Sequence, residues 1–257
     1  MTTVDLPRLP ECLQVGRDDV HVLVASAPED PHAVDGALDD EERRRIGRFR
    51  KPADAASFAG GRALVRLALA RLLDASPQEL VFDTWCARCE SAHGKPRLVQ
   101  PAAEIDFSLS RAGARLVLAL SRAPVGVDVE RIDRGVDKGV ARIAFAEDEQ
   151  AELEASPPAR RASAFLACWT RKEAVLKALG HGFAVDPASV SVTFLEGAEP
   201  RVRRLPAEFG PPEAWSLVPL QGDDWLGAVA VGGAVRTRVW AAQHLLDGYR
   251  RVASTRL

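Results

Sequence analysis

Apolar positions recur with two different periods along this chain. Leu64, Leu67 and Ala68 follow helical spacing, which predicts a half-buried helix. Between residues 115 and 121 leucines occupy every second position, which is typical of a strand with one buried face. The Ala-Gly-Ala sequence at 112–114 supplies a turn before that strand. The pattern therefore predicts both long helices and short strands.

The same succession of elements occurs twice. Three pairs of similar segments recur at an offset of 107 or 108: acidic triplets at 40–42 and 147–149, apolar helices that begin at Phe58 and Phe165, and hairpins that begin at Phe107 and Trp215. A nearly constant shift across three elements indicates duplication of one α+β unit.

We therefore predict an α+β fold with two similar subdomains related by a pseudo-two-fold axis, each a small antiparallel sheet packed on a long helix. The N-terminal subdomain is predicted at residues 1–122 and the C-terminal subdomain at 123–243, with the seam near residues 121–124. Residues 244–257 are expected to form a helix followed by a loose end.

Acidic residues occur on a predicted strand and on the second long predicted helix. The strand GVDVER, at 126–131, places Asp128 and Glu130 on one face and two valines on the other. On the helix, Glu173 and Lys177 lie one turn apart on the same face. Three carboxylates and a lysine can therefore converge on one point. This set is suited to holding a hard cation such as Mg²⁺ against a pyrophosphate.

Each motif alone also has an ordinary structural interpretation. The two strand carboxylates can be the solvent face of an edge strand, and the helix pair can be an exposed ion pair. Trp169, one turn before Glu173, is typical of core packing, with the wall of a ligand cleft as the alternative. Lys172 points about 100° away around the helix and is not expected to share the metal.

Composition narrows the class of protein. The 257 residues are 47% hydrophobic and 27% charged, as in a soluble globular protein, and the net charge of −2 argues against a nucleic-acid binder. No apolar run approaches about 20 residues, and the first residues do not form a secretory signal. We expect a cytoplasmic monomer that binds neither nucleic acid nor membrane.

Cys86 and Cys89, with His93 four residues on, leave two interpretations open. One is a zinc site, but a structural zinc ion needs four ligands and no fourth ligand lies nearby in the sequence. The other is a reduced pair of thiols on a loop, which we favour.

The two acidic motifs together resemble a known signature. GVDVE at 126–130, followed about forty residues later by WTRKEAVLKALG, resembles the pattern of 4′-phosphopantetheinyl transferases of the surfactin-synthetase-activating type. HGKPRL at 93–98 and DFSLSR at 106–111 are similar to the G-K-P and F-N-x-S-H segments of that family, and the resemblance spans roughly residues 38–232. It implies an active site in the cleft between the two halves.

The resemblance also implies a reaction and its participants. The 4′-phosphopantetheine arm of coenzyme A would pass to a serine of an apo acyl or peptidyl carrier protein, with release of 3′,5′-ADP. Asp128, Glu130 and Glu173 would bind Mg²⁺, with Mn²⁺ as an alternative. Glu173 or Glu130 would accept the serine proton, and Lys177 would bind the phosphates and stabilise the leaving group. Fatty acid, polyketide and nonribosomal peptide carriers all remain open.

The N-terminal half would bind the nucleotide of coenzyme A and its 3′-phosphate. The expected contacts are Arg45, Arg62, Lys95, Ser110 and Arg111. The family usually has histidine where Arg111 stands and asparagine where Ser108 stands. Arginine still offers a fixed fork of donors to a phosphate.

Two other functions stay possible from the sequence. One is a catalytically idle relative that binds coenzyme A or a carrier protein. The other is a metal-dependent phosphohydrolase that acts on nucleotides without a carrier protein.

Overall fold

Two β-sheets, each covered on its outer face by one long helix, organise the chain. The computed structural model describes residues 6–85, 94–181 and 185–254. Its helices are α1 Asp40–Ile46, α2 Pro52–Leu73, α3 Lys138–Ala144, α4 Glu147–Ala155, α5 Arg161–Leu179 and α6 Gln243–Ser254. Its strands are β1 Asp19–Ser26, β2 Val81–Asp83, β3 Arg97–Gln100, β4 Asp106–Ala112, β5 Arg115–Ser121, β6 Val125–Arg131, β7 Ser191–Val192, β8 Val202–Arg204, β9 Trp215–Gln221, β10 Trp225–Gly232 and β11 Arg236–Ala241. No helix among these residues is long and apolar enough to span a membrane.

The first sheet has the strand order β11-β1-β5-β4. β11 runs parallel to β1, and the other neighbours are antiparallel. Alternation along β5 assigns its two faces as the sequence predicts: Leu116 and Leu118 pack in the core under α2, whereas Val117 and Ala119 belong to a second core shared with the other sheet.

The second sheet is antiparallel, with the order β6-β10-β9. Val127 and Val129 on β6 face the first sheet, and Ala228 and Ala230 on β10 face α5. The layers are therefore α2, first sheet, second sheet and α5. This arrangement confirms the α+β class, while the pseudo-two-fold axis stays a prediction.

The helix α5 lies directly on β6 at Gly126. A Cβ atom at this position would come within 2.0 Å of the Ala174 carbonyl oxygen and 2.4 Å of the Ala178 nitrogen. Only glycine permits such an approach of two backbones. Because Glu173 and Lys177 flank this contact on α5, they are brought over Asp128, two residues further along β6.

Each half contains a buried ion pair between a short helix and the long helix that follows it. Glu42 on α1 accepts from Arg66 Nε of α2 at 2.6 Å, and Glu149 on α4 accepts from Lys172 Nζ of α5 at 2.6 Å. All four residues are less than 10% exposed. Each pair fixes a short helix to the long helix that follows it, which is consistent with repetition of one unit.

The predicted division of the chain needs one correction. The seam near residues 121–124 stays a prediction, but β11, which was assigned to the second half, and α6, which was assigned to a separate tail, pack with the first half. β11 pairs with β1, where Trp240 Nε1 donates to His21 Nδ1 at 2.9 Å, and Leu246 of α6 is fully buried in the core beside α2. The outer edge of β1 needs a partner and α2 an apolar cover, and the last elements supply both.

Candidate active site

A cleft of about 980 Å³ lies between the two halves. Its first wall comes from α1, α2 and β4, and its second wall comes from α3 and α5. Side chains of both signs line it: Arg45, Arg62, Lys95 and Arg111 from the first half, and Asp137, Glu173 and Lys177 from the second. The cleft therefore brings together most of the residues that the sequence singled out.

Three arginines make the first wall strongly basic. The guanidinium groups of Arg45 and Arg111 lie 5.1 and 5.9 Å from the centre of the Phe58 ring, a cation–π arrangement. Gly61 of α2 leaves room for this packing, since a Cβ atom there would lie 3.0 Å from Arg111 Cδ. Burial, followed by the positive charges of Arg45 and Arg62, lowers the pKa of Arg111.

The charges on this wall are only partly balanced. Arg62 pairs with Glu42, but neither Arg45 nor Arg111 forms an ion pair with any residue that the structure describes. Two cations held on one aromatic ring repel each other, and an anion in the cleft would relieve that repulsion.

Asp128 lies at the junction of β4, β6 and α5 and is 6% exposed. Its Oδ1 accepts from Lys177 Nζ at 2.6 Å and from Ser110 Oγ at 2.9 Å. Its Oδ2 is buried and has no hydrogen-bond partner among the described residues. Burial raises the pKa of Asp128, in opposition to the nearby Lys177 ammonium.

The other two carboxylates stand near Asp128. Glu130 Oε1 accepts from Trp169 Nε1 at 3.2 Å and from Arg134. Glu173 lines the cleft, and its pKa is raised by burial first and then by the negative charges of Asp128 and Glu130. Glu130 and Asp128 are therefore close enough to Glu173 for their negative charges to oppose its ionisation.

The carboxylates of this site match a divalent cation in the type of ligand atom and in the sign of their charge. Three carboxylates, one with an unpartnered buried oxygen, are the ligands that Mg²⁺ and Mn²⁺ accept. Within residues 6–85, 94–181 and 185–254, however, no three acidic, histidine or cysteine side chains are gathered closely enough to hold an ion as they stand. The side chains of this site would have to rearrange to share one cation.

The ammonium group of Lys177 forms an ion pair with Asp128 rather than with Glu173. Besides the carboxylate, its ammonium donates to the Val127 carbonyl at 3.2 Å and to Ser110 Oγ at 3.3 Å. Lys177 and Glu173 therefore do not form the exposed ion pair on one helix face that the ordinary interpretation predicts. The ammonium stands at the boundary between the cleft and the buried acid.

Two predicted coenzyme A contacts have protein partners of their own. Lys95 lines the cleft, but its ammonium donates to Asp106 and to the Val125 carbonyl at 2.7 Å. Ser110 is 6% exposed and is bonded to Asp128 behind the cleft wall. Their contribution to the site is therefore at least partly to hold it together.

Comparison with known proteins decides the family. A model described as the 4′-phosphopantetheinyl transferase superfamily matches residues 124–230. The 4′-phosphopantetheinyl transferase HetI of Nostoc sp. is 30% identical over 237 residues, which cover 89% of this chain and 93% of that protein. The chain belongs to the 4′-phosphopantetheinyl transferase superfamily.

Two further relatives in this superfamily are shorter matches. The 4′-phosphopantetheinyl transferase psf-1 of Bacillus pumilus is 30% identical over 63% of this chain and 66% of its own length. The 4′-phosphopantetheinyl transferase Sfp of Bacillus subtilis is 25% identical over 60% of this chain and 66% of its own length. The family that the two acidic motifs predicted is confirmed.

Within the superfamily signature of this chain, Lys172 proves to be structural. It is 1% exposed and bonded to Glu149 and to the Val190 carbonyl, away from the cleft. The offset of 107 that relates Glu42 to Glu149 leads from Arg66 to Glu173 and not to Lys172, so it gave no signal for this pair. The sequence also gave no indication that Asp106 pairs with Lys95.

The proposed thiol pair and its neighbouring histidine, Cys86, Cys89 and His93, lie outside the described residues.

Replacement of Glu173 by glutamine should stabilise this transferase at neutral pH. Because the pKa of Glu173 is raised in the folded state, the folded protein holds this proton more tightly than the unfolded chain does. The contribution of Glu173 to stability therefore falls as pH rises from about 4.3, the usual value for glutamate, through its folded pKa.

Thermal unfolding of wild type and Glu173→Gln from pH 4 to pH 8 measures this effect. We expect a higher Tm for the variant at pH 7, with convergence of the two proteins near pH 4; 1 kcal/mol corresponds to about 2–4 °C at this chain length. Glu154→Gln, on the exposed face of α4, should change little. A lower Tm for Glu173→Gln at pH 7 would mean that its charge is a stabilising partner.

Proposed function

We propose that this chain transfers the 4′-phosphopantetheine arm of coenzyme A to a serine of an apo carrier protein and releases 3′,5′-ADP. Membership of the superfamily supports the type of reaction. The observation that carries the proposal is the Lys177–Asp128 contact, which lies opposite an arginine wall in a single cleft. A substrate with several phosphates can contact both.

The arginine wall is suited to the nucleotide end of coenzyme A. Arg45 and Arg111 form no ion pair with a described residue and are already ordered on the Phe58 ring, so that little side-chain entropy is lost when they bind an anion. We assign the 3′-phosphate to these two residues, with Arg62 beside them. Lys95 keeps one ammonium donor beyond its two protein contacts and can offer it to the pyrophosphate.

The acidic side of the cleft is suited to the reacting phosphate. Asp128, Glu130 and Glu173 would hold Mg²⁺ or Mn²⁺, which when bound supplies positive charge to the pyrophosphate. Lys177 can turn from Asp128 to the bridging oxygen and stabilise the charge that develops there as 3′,5′-ADP leaves. The lost Lys177–Asp128 ion pair would be offset by contacts of Asp128 with the cation and of Lys177 with the phosphate.

Glu173 is the candidate for general base. It lines the cleft, whereas Glu130 is bonded to Trp169 and Arg134. The serine hydroxyl of the carrier protein would lose its proton to Glu173 as its oxygen attacks phosphorus.

Incubation with coenzyme A, Mg²⁺ and an apo carrier protein tests the reaction. Intact-protein mass spectrometry should show the phosphopantetheine adduct for wild type, and Asp128→Ala and Glu173→Gln should each lower the rate by a hundredfold or more, since several kcal/mol of transition-state stabilisation is lost. Glu41→Ala, at an exposed position, is the control. Release of nucleotide without a carrier adduct would indicate a hydrolase, and coenzyme A binding without turnover would indicate an idle relative.

The assignment of the 3′-phosphate predicts a substrate-specific loss. Arg111→Ala should raise the KM for coenzyme A roughly ten- to a hundredfold, the equivalent of about 1.5–3 kcal/mol for a charge-assisted hydrogen bond. Dephospho-coenzyme A lacks this phosphate, so the same variant should use it almost as well as wild type does. Arg44→Ala, exposed on α1, should affect neither substrate. Equal losses for the two substrates would remove Arg111 from this role.

A further inference from the structure

The edges of β4 and β6 meet in an unusual way. β4 is the last strand of the first sheet and β6 the first strand of the second, and they belong to no common backbone ladder. Side chains of β4 accept from backbone N–H groups of β6 instead. Three such bonds follow one another: Asp106 Oδ2 from Val125 at 2.7 Å, Ser108 Oγ from Val127 at 3.1 Å, and Ser110 Oγ from Val129 at 3.2 Å.

Two carbonyl groups along this edge of β6 are also bonded to side chains. Lys95 donates to the Val125 carbonyl and Lys177 to the Val127 carbonyl, at 2.7 and 3.2 Å. Lys95 is in turn paired with Asp106, and Lys177 with Asp128. Two lysines, one aspartate and two serines thus replace the backbone partner that this edge would otherwise require.

We call the bonds from Lys95, Asp106, Ser108, Ser110 and Lys177 to the backbone of β6 the side-chain ladder. Its bonds lie close to residues of the proposed mechanism. Asp128 follows Val127 on β6, and Arg111 follows Ser110 on β4. Ser110 both accepts from β6 and donates to Asp128. The stem of Lys95 packs on the end of α5, where a Cβ atom at Gly180 would lie 3.7 Å from Lys95 Cδ. The ladder therefore connects the three elements that carry the arginine wall, the buried acid and Lys177.

We propose that Asp106 and Ser108 are positioning residues for phosphopantetheine transfer. Their bonds to β6 set the separation between the nucleotide wall on β4 and the carboxylates on β6. The idea rests on the proposed function, because the groups being positioned are those assigned above. Asp106 does not line the cleft, so its effect on catalysis passes through Val125 and Lys95.

Loss of one bond should change the rate more than it changes substrate binding. Asp106→Ala removes the first acceptor and the partner of Lys95, and Ser108→Ala leaves the Val127 N–H without its acceptor. A displacement of about 1 Å between reacting groups can cost about a hundredfold in rate. We expect kcat to fall roughly ten- to a hundredfold in each variant, with the KM for coenzyme A within about twofold of wild type, because Arg45 and Arg111 remain.

Two further variants separate positioning from general loss of stability. Ser108→Thr keeps the hydroxyl on a strand and should restore kcat to within about threefold of wild type. Ser121→Ala removes another buried serine hydroxyl, which donates to the Asp19 carbonyl and accepts from the Ala123 N–H, away from β6. It should lose stability but keep its kcat.

The outcome is read from kinetics and from hydrogen exchange together. Faster exchange of the Val127 amide in Ser108→Ala than in Ser121→Ala, with the fall in kcat, supports the proposal. Unchanged kcat in Asp106→Ala and Ser108→Ala, or a raised KM for coenzyme A at normal kcat, overturns it. If the wild type is inactive but its Val127 amide is protected from exchange, the proposed function is wrong, whereas the bonds between β4 and β6 are present. If the Val127 amide of the wild type exchanges without protection, these bonds do not form in solution.

Discussion

The site depends on how the backbone groups along one buried edge of β6, which has no neighbouring strand in its sheet, find hydrogen-bond partners. β6 has β10 on one side, and on its other side its N–H and carbonyl groups bond to side chains of β4, of α5 and of the loop that bears Lys95. Buried backbone groups left without partners would cost free energy comparable to a lost hydrogen bond. Polar and charged side chains must therefore converge on β6, and they converge beside Asp128.

The close approach of α5 completes this arrangement. Gly126 lets the helix backbone lie on the strand, and the two charged residues that flank the contact, Glu173 and Lys177, are fixed over the acid. The result is a set of carboxylates whose charges oppose each other, with one ammonium in partial compensation. Across the cleft, Arg45 and Arg111 repel each other in the same way. The protein thus holds like charges together on each wall, an arrangement that cation and polyphosphate would neutralise together.

The sequence predicts the local features of this site well. Alternation fixed which face of β6 carries Asp128, helical spacing placed Glu173 and Lys177 on one face, and paired motifs were specific enough to indicate the family. Partners across long sequence separations were not predictable in this way. The pairing of Lys177 with Asp128, of Lys95 with Asp106 and of β11 with β1 depends on which edges meet in three dimensions, and local periodicity carries no information about that.

The carboxylates of β6 and the arginines of the opposite wall are proposed to act on one substrate in one cleft. Calorimetric titration of coenzyme A with and without Mg²⁺, on wild type and Asp128→Ala, tests it most directly, because coupling between two ligands at a shared site is reciprocal. Mg²⁺ should strengthen coenzyme A binding to wild type and have little effect on the variant. An equal effect of Mg²⁺ on both proteins would contradict it.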